Sequence, residues 1–474
     1  MLDIKGYEKY DYLFGLFERI SEIPRGSGNT KPIADYLESF ARSRGLECIR
    51  DESDNIIIRK PATPDKAGSP AVIFQGHSDI VAEKTKDSTK DMLRDGLDIY
   101  RDGDFIRAKG TTLGADDGVA LAYALAVLDG RAESHPDFEA LFTSNEETGL
   151  FGAMALDGSH LRGRLMVNID SGGERSFTVG CAGGMNTVIT LPVEREGAGE
   201  AFYKLTVSGL AGGHSGCDIH KGRLNATHIL AEALSALGDI RIADLAGGTK
   251  DNAIPRSAEC IFSAKSDVCA IACQVIDSIK AKYSPIEKDI SLELEEAKTD
   301  SKLLSSDASR LAVSLLFSLP TGIIKMSEEL GGQVETSLNL GITELSEKAL
   351  TLSFYLRSSR EGANEETLEE LKRIASEHSA LTEVLSSYPA WEYNPSSPLR
   401  EALISLWHEF YEGEPKVSTL HAGLECGIIA SKIEGLDCIA IGPDNYALHT
   451  TEEHLSIPSF TRMWDYLVEF LKRI

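Results

Sequence analysis

Short apolar runs that stop abruptly at a glycine or an acid recur through the first 182 residues of this chain. "AVIFQ" runs into Gly76, His77 and Asp79; "EALFTSNEE" ends in paired acids; "LMVNID" ends in one. Between these strand-like runs lie segments with helical spacing. Asp11 to Ile23 is apolar at that spacing and stops at Pro24, Pro32 opens a second helix that Gly45 closes, and Val119 to Leu128 is rich in Ala and Leu. Such alternation specifies an α/β domain, with ligands expected beyond the strand ends. From about Gly183 the texture changes to paired β-runs and helices, an α+β, ferredoxin-like pattern in two rounds that do not align convincingly with each other. "MNTVITLPVE" and "AFYKLTVSGL" read there as neighbouring antiparallel strands. Near Asn394 the first texture returns, with a helix over Leu399 to Tyr411, a strand–turn–helix in "STLHAGLECGIIASKI", a buried strand in "DCIAIGP" and a closing helix from Pro458 to Ile474. A length of 474 residues favours two domains. The expected organisation is a discontinuous domain over 1–182 and 394–474, interrupted by a second domain over 183–393.

Composition narrows the partners. Lys and Arg number 48 and Asp and Glu 74, giving a net charge of −26. Nucleic acid and anionic membrane would be repelled. The longest apolar runs are too short to span a bilayer, and "MLDIKGYEKYDYLF" has no basic region leading into an apolar core, so no signal peptide is expected. Eight scattered cysteines form no CxxC pair, and Cys269 and Cys273 read as packing residues of one helix. A cytoplasmic protein with free thiols fits these features.

The chemistry gathers at the strand ends and glycine turns: His77 and Asp79 in "GHSD", Asp116 and Asp117 in "LGADDG", Glu146 and Glu147 in "SNEETG", Asp170 in "NIDSG" and His449 in "ALHTTEE". Each alone has a bland reading as a helix cap, a solvated turn or a structural histidine. Together, on one edge of one domain, the carboxylates would repel each other unless a cation sat among them. Two imidazoles with several carboxylates suit zinc, and also manganese or cobalt. Five ligands are too many for one tetrahedral catalytic zinc with an open position, and suit two ions if one carboxylate bridges. A water between two such ions would be acidified, and one acid must stay free of metal to take its proton.

With "GHSDIV", "GADDGVALA", "TSNEETGLFGA" and "ALHTTEE" in place, the chain resembles, over nearly its whole length, the dinuclear metallopeptidase family of carnosinases, acetylornithine deacetylases, tripeptidases and glutamate-releasing carboxypeptidases. Within it the chain is most similar to the aminoacyl-histidine dipeptidases, through Asp170 where many relatives carry Glu, "AGGHSGCDIHKGRLNA" and "HAGLECG". The resemblance implies a zinc-peptidase-like catalytic domain, with a mixed central sheet flanked by helices, and a ferredoxin-like lid and dimerisation domain. It implies hydrolysis of dipeptides, with His77 and Asp170 on one metal, Glu147 and His449 on the other, Asp116 bridging and Glu146 as general base. Asp79 would bond the second ring nitrogen of His77, and the Asp116–Asp117 peptide would be cis. In the lid, His214 would stabilise the oxyanion, Arg357 would receive the substrate carboxylate and Asn252 would add a polar contact. His220, His228, His421 and His454 are read as structural. A homodimer through the lid is implied, although a lid this large could serve both roles within one chain. A tripeptidase or N-acyl-amino-acid amidohydrolase of the same family is the nearest alternative, and a non-catalytic, metal-dependent peptide-binding protein the more distant one.

Overall fold

The computed structural model describes residues 2–197, 199, 201–264, 268–329 and 331–474. The chain divides into two compact units. One comprises Met1–Gly180, Tyr393–Thr419 and Leu424–Ile474, and the other Cys181–Glu392 with Leu420–Gly423.

The first unit is built on an eight-stranded mixed sheet. Across it run Glu47–Arg50, Ile56–Lys60, Phe138–Thr143, Val72–His77, Leu165–Asn168, Asp437–Ala440, Ser176–Cys181 and Lys416–Leu420. The middle four strands, from Phe138–Thr143 to Asp437–Ala440, are parallel, with His77 opposite Thr143 and Gln75 opposite Asn168. Parallel strands leave their C-terminal ends on one edge, which is why the polar turns after them gather there. Val72–His77 and Phe138–Thr143 are buried at every position, as sheet strands covered on both faces must be. The helix Ala115–Leu128 packs on the sheet and is apolar almost all round, so it lies inside the core rather than on its surface. A smaller sheet of Asn445–Tyr446, His454–Ser456, Phe105–Ala108 and Ile99–Asp102 fixes both ends of the segment that carries His449.

The second unit holds a nine-stranded sheet whose mapped ladders are all antiparallel. Its order resolves into two βαββαβ rounds. The strands Phe202–Ser208, Arg241–Gly247, Ala258–Ser263 and Ser291–Ala297, with the helices Ala226–Leu237 and Val268–Tyr283, form one round in strand order 4-1-3-2. Gly183–Pro192, Val334–Leu345, Ala349–Ser358 and Leu381–Tyr388, with Ser306–Ser318 and Ala363–Glu377, repeat that order. The first round is inserted after the opening strand of the second, and Arg241–Gly247 pairs with Val334–Leu345 to join them. This nesting corrects one expectation. The segments "MNTVITLPVE" and "AFYKLTVSGL" adjoin in sequence but pair with different partners, Ala349–Ser358 and Ala258–Ser263, because they open different rounds. Cys269 and Cys273 are exposed rather than packed. Among the described residues no helix is long and apolar enough to cross a membrane.

Candidate metal centre

His77 ends its strand, Glu146 and Glu147 follow the next strand in the sheet, and Asp170 follows the third. Asp116 enters with the start of the helix Ala115–Leu128, across a cis Asp116–Asp117 peptide, and His449 with the loop after Asn445–Tyr446. Their donor atoms fall into three overlapping groups, each within 4.8 Å: His77, Asp116 and Asp170; His77, Glu146 and Glu147; and Asp116, Glu147 and His449. Asp116 lies between the two imidazoles. Its Oδ1 is 2.9 Å from Nε2 of His77 and its Oδ2 is 3.2 Å from Nε2 of His449. Oε2 of Glu147 is 3.1 Å from the same His449 nitrogen, while its Oε1 is buried without a hydrogen-bond partner. Asp170 Oδ1 stands 4.0 Å from Nε2 of His77.

Asp79 is fully buried, but its carboxylate is not the nearest partner of His77. Nδ1 of His77 is 3.1 Å from the Asp79 backbone oxygen and 3.7 Å from Oδ1. The carboxylate accepts instead from the Ser27 hydroxyl at 2.7 Å and from the amides of Glu146 at 3.0 Å and Glu147 at 3.4 Å. It therefore ties the His77 strand end to the neighbouring acidic turn.

The electrostatics are those of a crowded anionic site. Burial pushes the Asp170 carboxyl well up, with Asp116 adding to the effect. Glu146 is raised to about 8 by burial and by Glu425, Glu147 and Asp116, against the pull of His77. Hydrogen bonds to Asp116 and Glu147 raise His449 to about 10. For Asp116 burial is outweighed by the bonds from His449 and His77, which hold it well below the usual carboxylate range. Such a set calls for positive charge at its centre. Histidine nitrogens, carboxylates and an orphaned Glu147 oxygen, sharing Asp116, fit two divalent ions.

The match to the model of peptidase family M20/M25/M40 runs over residues 73–473 and takes in all of these groups. The chain belongs to peptidase family M20. This M20 chain is 33% identical over 471 residues to the cytosol non-specific dipeptidase of Escherichia coli K12, covering 98% of this chain and 97% of that one. The crystal structure of aminoacylhistidine dipeptidase from Vibrio alginolyticus superposes with a TM-score of 0.91 at 32% identity, over 98% of this chain and 96% of that one. Aminopeptidase PepT from Bacillus cereus, at 16% identity and a TM-score of 0.57 over 98% of both chains, shares the fold.

The M20 centre contains a buried acid that the sequence reading passed over. Glu425 opens the helix Glu425–Lys432 and is fully buried. It accepts from Gln75 at 2.6 Å and from the Thr143 hydroxyl at 2.5 Å. Gln75 in turn accepts from Asn168 at 2.6 Å, and Asn168 from the Asp170 amide at 3.2 Å. This polar seam lies beneath three of the strand ends that carry the site. Its signal in sequence was a polar residue in each apolar run, two positions before His77 and before Asp170.

In the second unit of this M20 chain, His214, Arg357 and Asn252 gather around one turn. Nδ1 of His214 accepts amides of Gly216 at 3.1 Å and Cys217 at 3.0 Å, so the neutral ring carries its hydrogen on Nε2. Burial and Arg357 hold that ring below the usual imidazole range. Arg357 is buried, donates to the Tyr388 hydroxyl at 3.3 Å and stacks on Tyr355, while its Nε has no partner. A Cβ on Gly216 would stand 2.3 Å from the His421 backbone oxygen, 3.1 Å from the His214 ring and 3.2 Å from that Nε, so the backbone of this turn requires glycine. Asn252 joins through its backbone carbonyl, which accepts the Ser215 amide at 2.8 Å.

Proposed function

We propose that this chain is a dipeptidase that holds two divalent ions, zinc foremost and manganese or cobalt in its place, and that it prefers dipeptides with a C-terminal histidine. His77 and Asp170 would hold one ion, Glu147 and His449 the other, with Asp116 between them. Bound there, the ions supply Lewis acidity, polarising the scissile carbonyl and acidifying a water. Glu146 takes the proton of the attacking water and returns it to the leaving amine. Asp79 keeps His77 and the Glu146–Glu147 turn in register. His214 donates from Nε2 to the oxyanion. Arg357 offers its planar fork to the C-terminal carboxylate, with Asn252 as a second polar contact. In this reading residues 1–182 and 394–474 are the catalytic domain, and 183–393 are the lid through which a cytoplasmic homodimer forms.

One observation carries the reading: a single carboxylate, Asp116, faces His77 with one oxygen and His449 with the other, joining two donor sets from opposite ends of the chain. The name of the E. coli relative favours a second reading of the specificity, a dipeptidase indifferent to the C-terminal residue. For the mechanism, Glu146→Ala is the test. The variant keeps its fold and metal content and loses about 10²–10⁴-fold or more in kcat. Turnover near the wild-type rate would remove Glu146 from the base role.

A further inference from the structure

Two buried charges outside the donor set grip the loop that presents Asp116. Glu453 is 3% exposed and lies four residues after His449. Its Oε2 accepts the amides of Leu113 and Gly114, both at 2.8 Å, and its Oε1 those of Ala115 at 2.9 Å and Asp116 at 3.3 Å. Asn445 adds a fifth bond at 3.1 Å. These amides belong to the turn before the regular helix, because Asp116 and Asp117 are non-helical within the span Ala115–Leu128, and Gly114 in that turn has no side chain to satisfy them.

Arg25 holds the other side. It is 1% exposed, and its Nη1 donates to the carbonyls of Ser78 at 3.0 Å and Asp79 at 3.2 Å, while its Nη2 donates to that of Gly114 at 2.5 Å. The fit leaves no slack. A Cβ on Gly114, which sits at φ +66°, would be 2.9 Å from Ile80 and 3.1 Å from Nη2, and one on Gly118 would be 2.7 Å from Nη2. Thus Glu453 couples the His449 segment to the Asp116 loop, and Arg25 couples that loop to the His77 strand end.

We propose that Glu453 and Arg25 are positioning residues of the metal centre, holding Asp116 between His77 and His449 before any ion arrives. This rests on the two-ion reading above. Neither side chain is a ligand, yet loss of either loosens the one carboxylate that both donor sets share. Partners that orient ligands in this way are worth about 10–100-fold in metal affinity.

The test is a cobalt titration of the metal-free protein, followed by the visible absorption of the bound ion. Glu453→Gln and Arg25→Lys bind Co2+ at least about 10-fold more weakly than wild type, with an altered spectrum. Tyr123→Phe, which removes a hydroxyl bonded to the Phe460 carbonyl from the same helix, lowers stability and leaves the titration at wild type. Hydrogen exchange of metal-free wild type needs no variant to fold, and it shows the amides of Leu113 to Asp116 protected like the helix interior. Wild-type cobalt affinity in both variants, or rapid exchange at those amides, overturns the proposal. Absence of cobalt binding in wild type overturns the two-ion reading and this inference with it.

Discussion

His421 shows how a residue read as structural can set a pH response. Burial, then Arg357, His214 and His220, push its pKa down to about 3, and Nε2 lies 2.7 Å from the Ser337 hydroxyl. In the unfolded chain it titrates near ~6.5. Above that pH both states are neutral and its contribution to stability is whole. As pH falls toward 3 the unfolded state gains a proton that the folded state refuses, and stability is lost. Between pH 7 and 5 wild type loses about 2 kcal/mol more than His421→Gln in urea unfolding. Equal losses would mean that His421 titrates freely in the folded protein. The candidate donors were legible as a set and not singly, because several of them end apolar runs or sit in glycine turns on one edge of one domain. Glu425 was not, because an acid after Gly423 and Leu424 reads as an ordinary helix start until the fold brings Gln75 and Thr143 to it.

At the scale of elements, the strand Val72–His77 and the helix Ala115–Leu128 approach closely at Gly76. A Cβ on Gly76 would stand 2.1 Å from Asp117 Oδ2 and 2.3 Å from the Ala120 Cβ. Gly76→Ala must push the helix start, and Asp116 with it, off the strand. Overpacking of this kind costs about 1–3 kcal/mol, read by chemical denaturation, and a fall in metal affinity accompanies it. Wild-type stability and affinity together would show that the two elements tolerate separation. Most strands were legible from apolar runs bounded by turns. Their pairing was not, because adjacency in sequence misleads when one βαββαβ round is inserted into another, and the nesting shows in the ladders from Gly183–Pro192 to the late strands Ala349–Ser358 and Leu381–Tyr388.

For the whole molecule, the composition alone spoke against nucleic acid and anionic membrane, and four motifs carried the family. Specificity was not legible, because in the proposed function it would depend on how Arg357, His214 and their neighbours shape the space around a substrate, not on any run of residues. A panel of Xaa-His dipeptides, other dipeptides, tripeptides and N-acetyl amino acids, assayed with zinc, manganese and cobalt after chelation, decides it. The proposed function predicts the highest kcat/KM for Xaa-His dipeptides and little turnover of the longer or acylated compounds. Equal rates across dipeptides would favour the non-specific reading, and faster tripeptide cleavage would contradict both.

The central claim is that residues scattered from His77 to His449 enclose two ions around Asp116. Anomalous diffraction at the zinc edge, from crystals of the zinc-loaded protein, addresses it without any assay. The account predicts two peaks flanking the Asp116 carboxylate, one beside His77 and Asp170 and the other beside Glu147 and His449. A single peak, or peaks elsewhere on the chain, would contradict it.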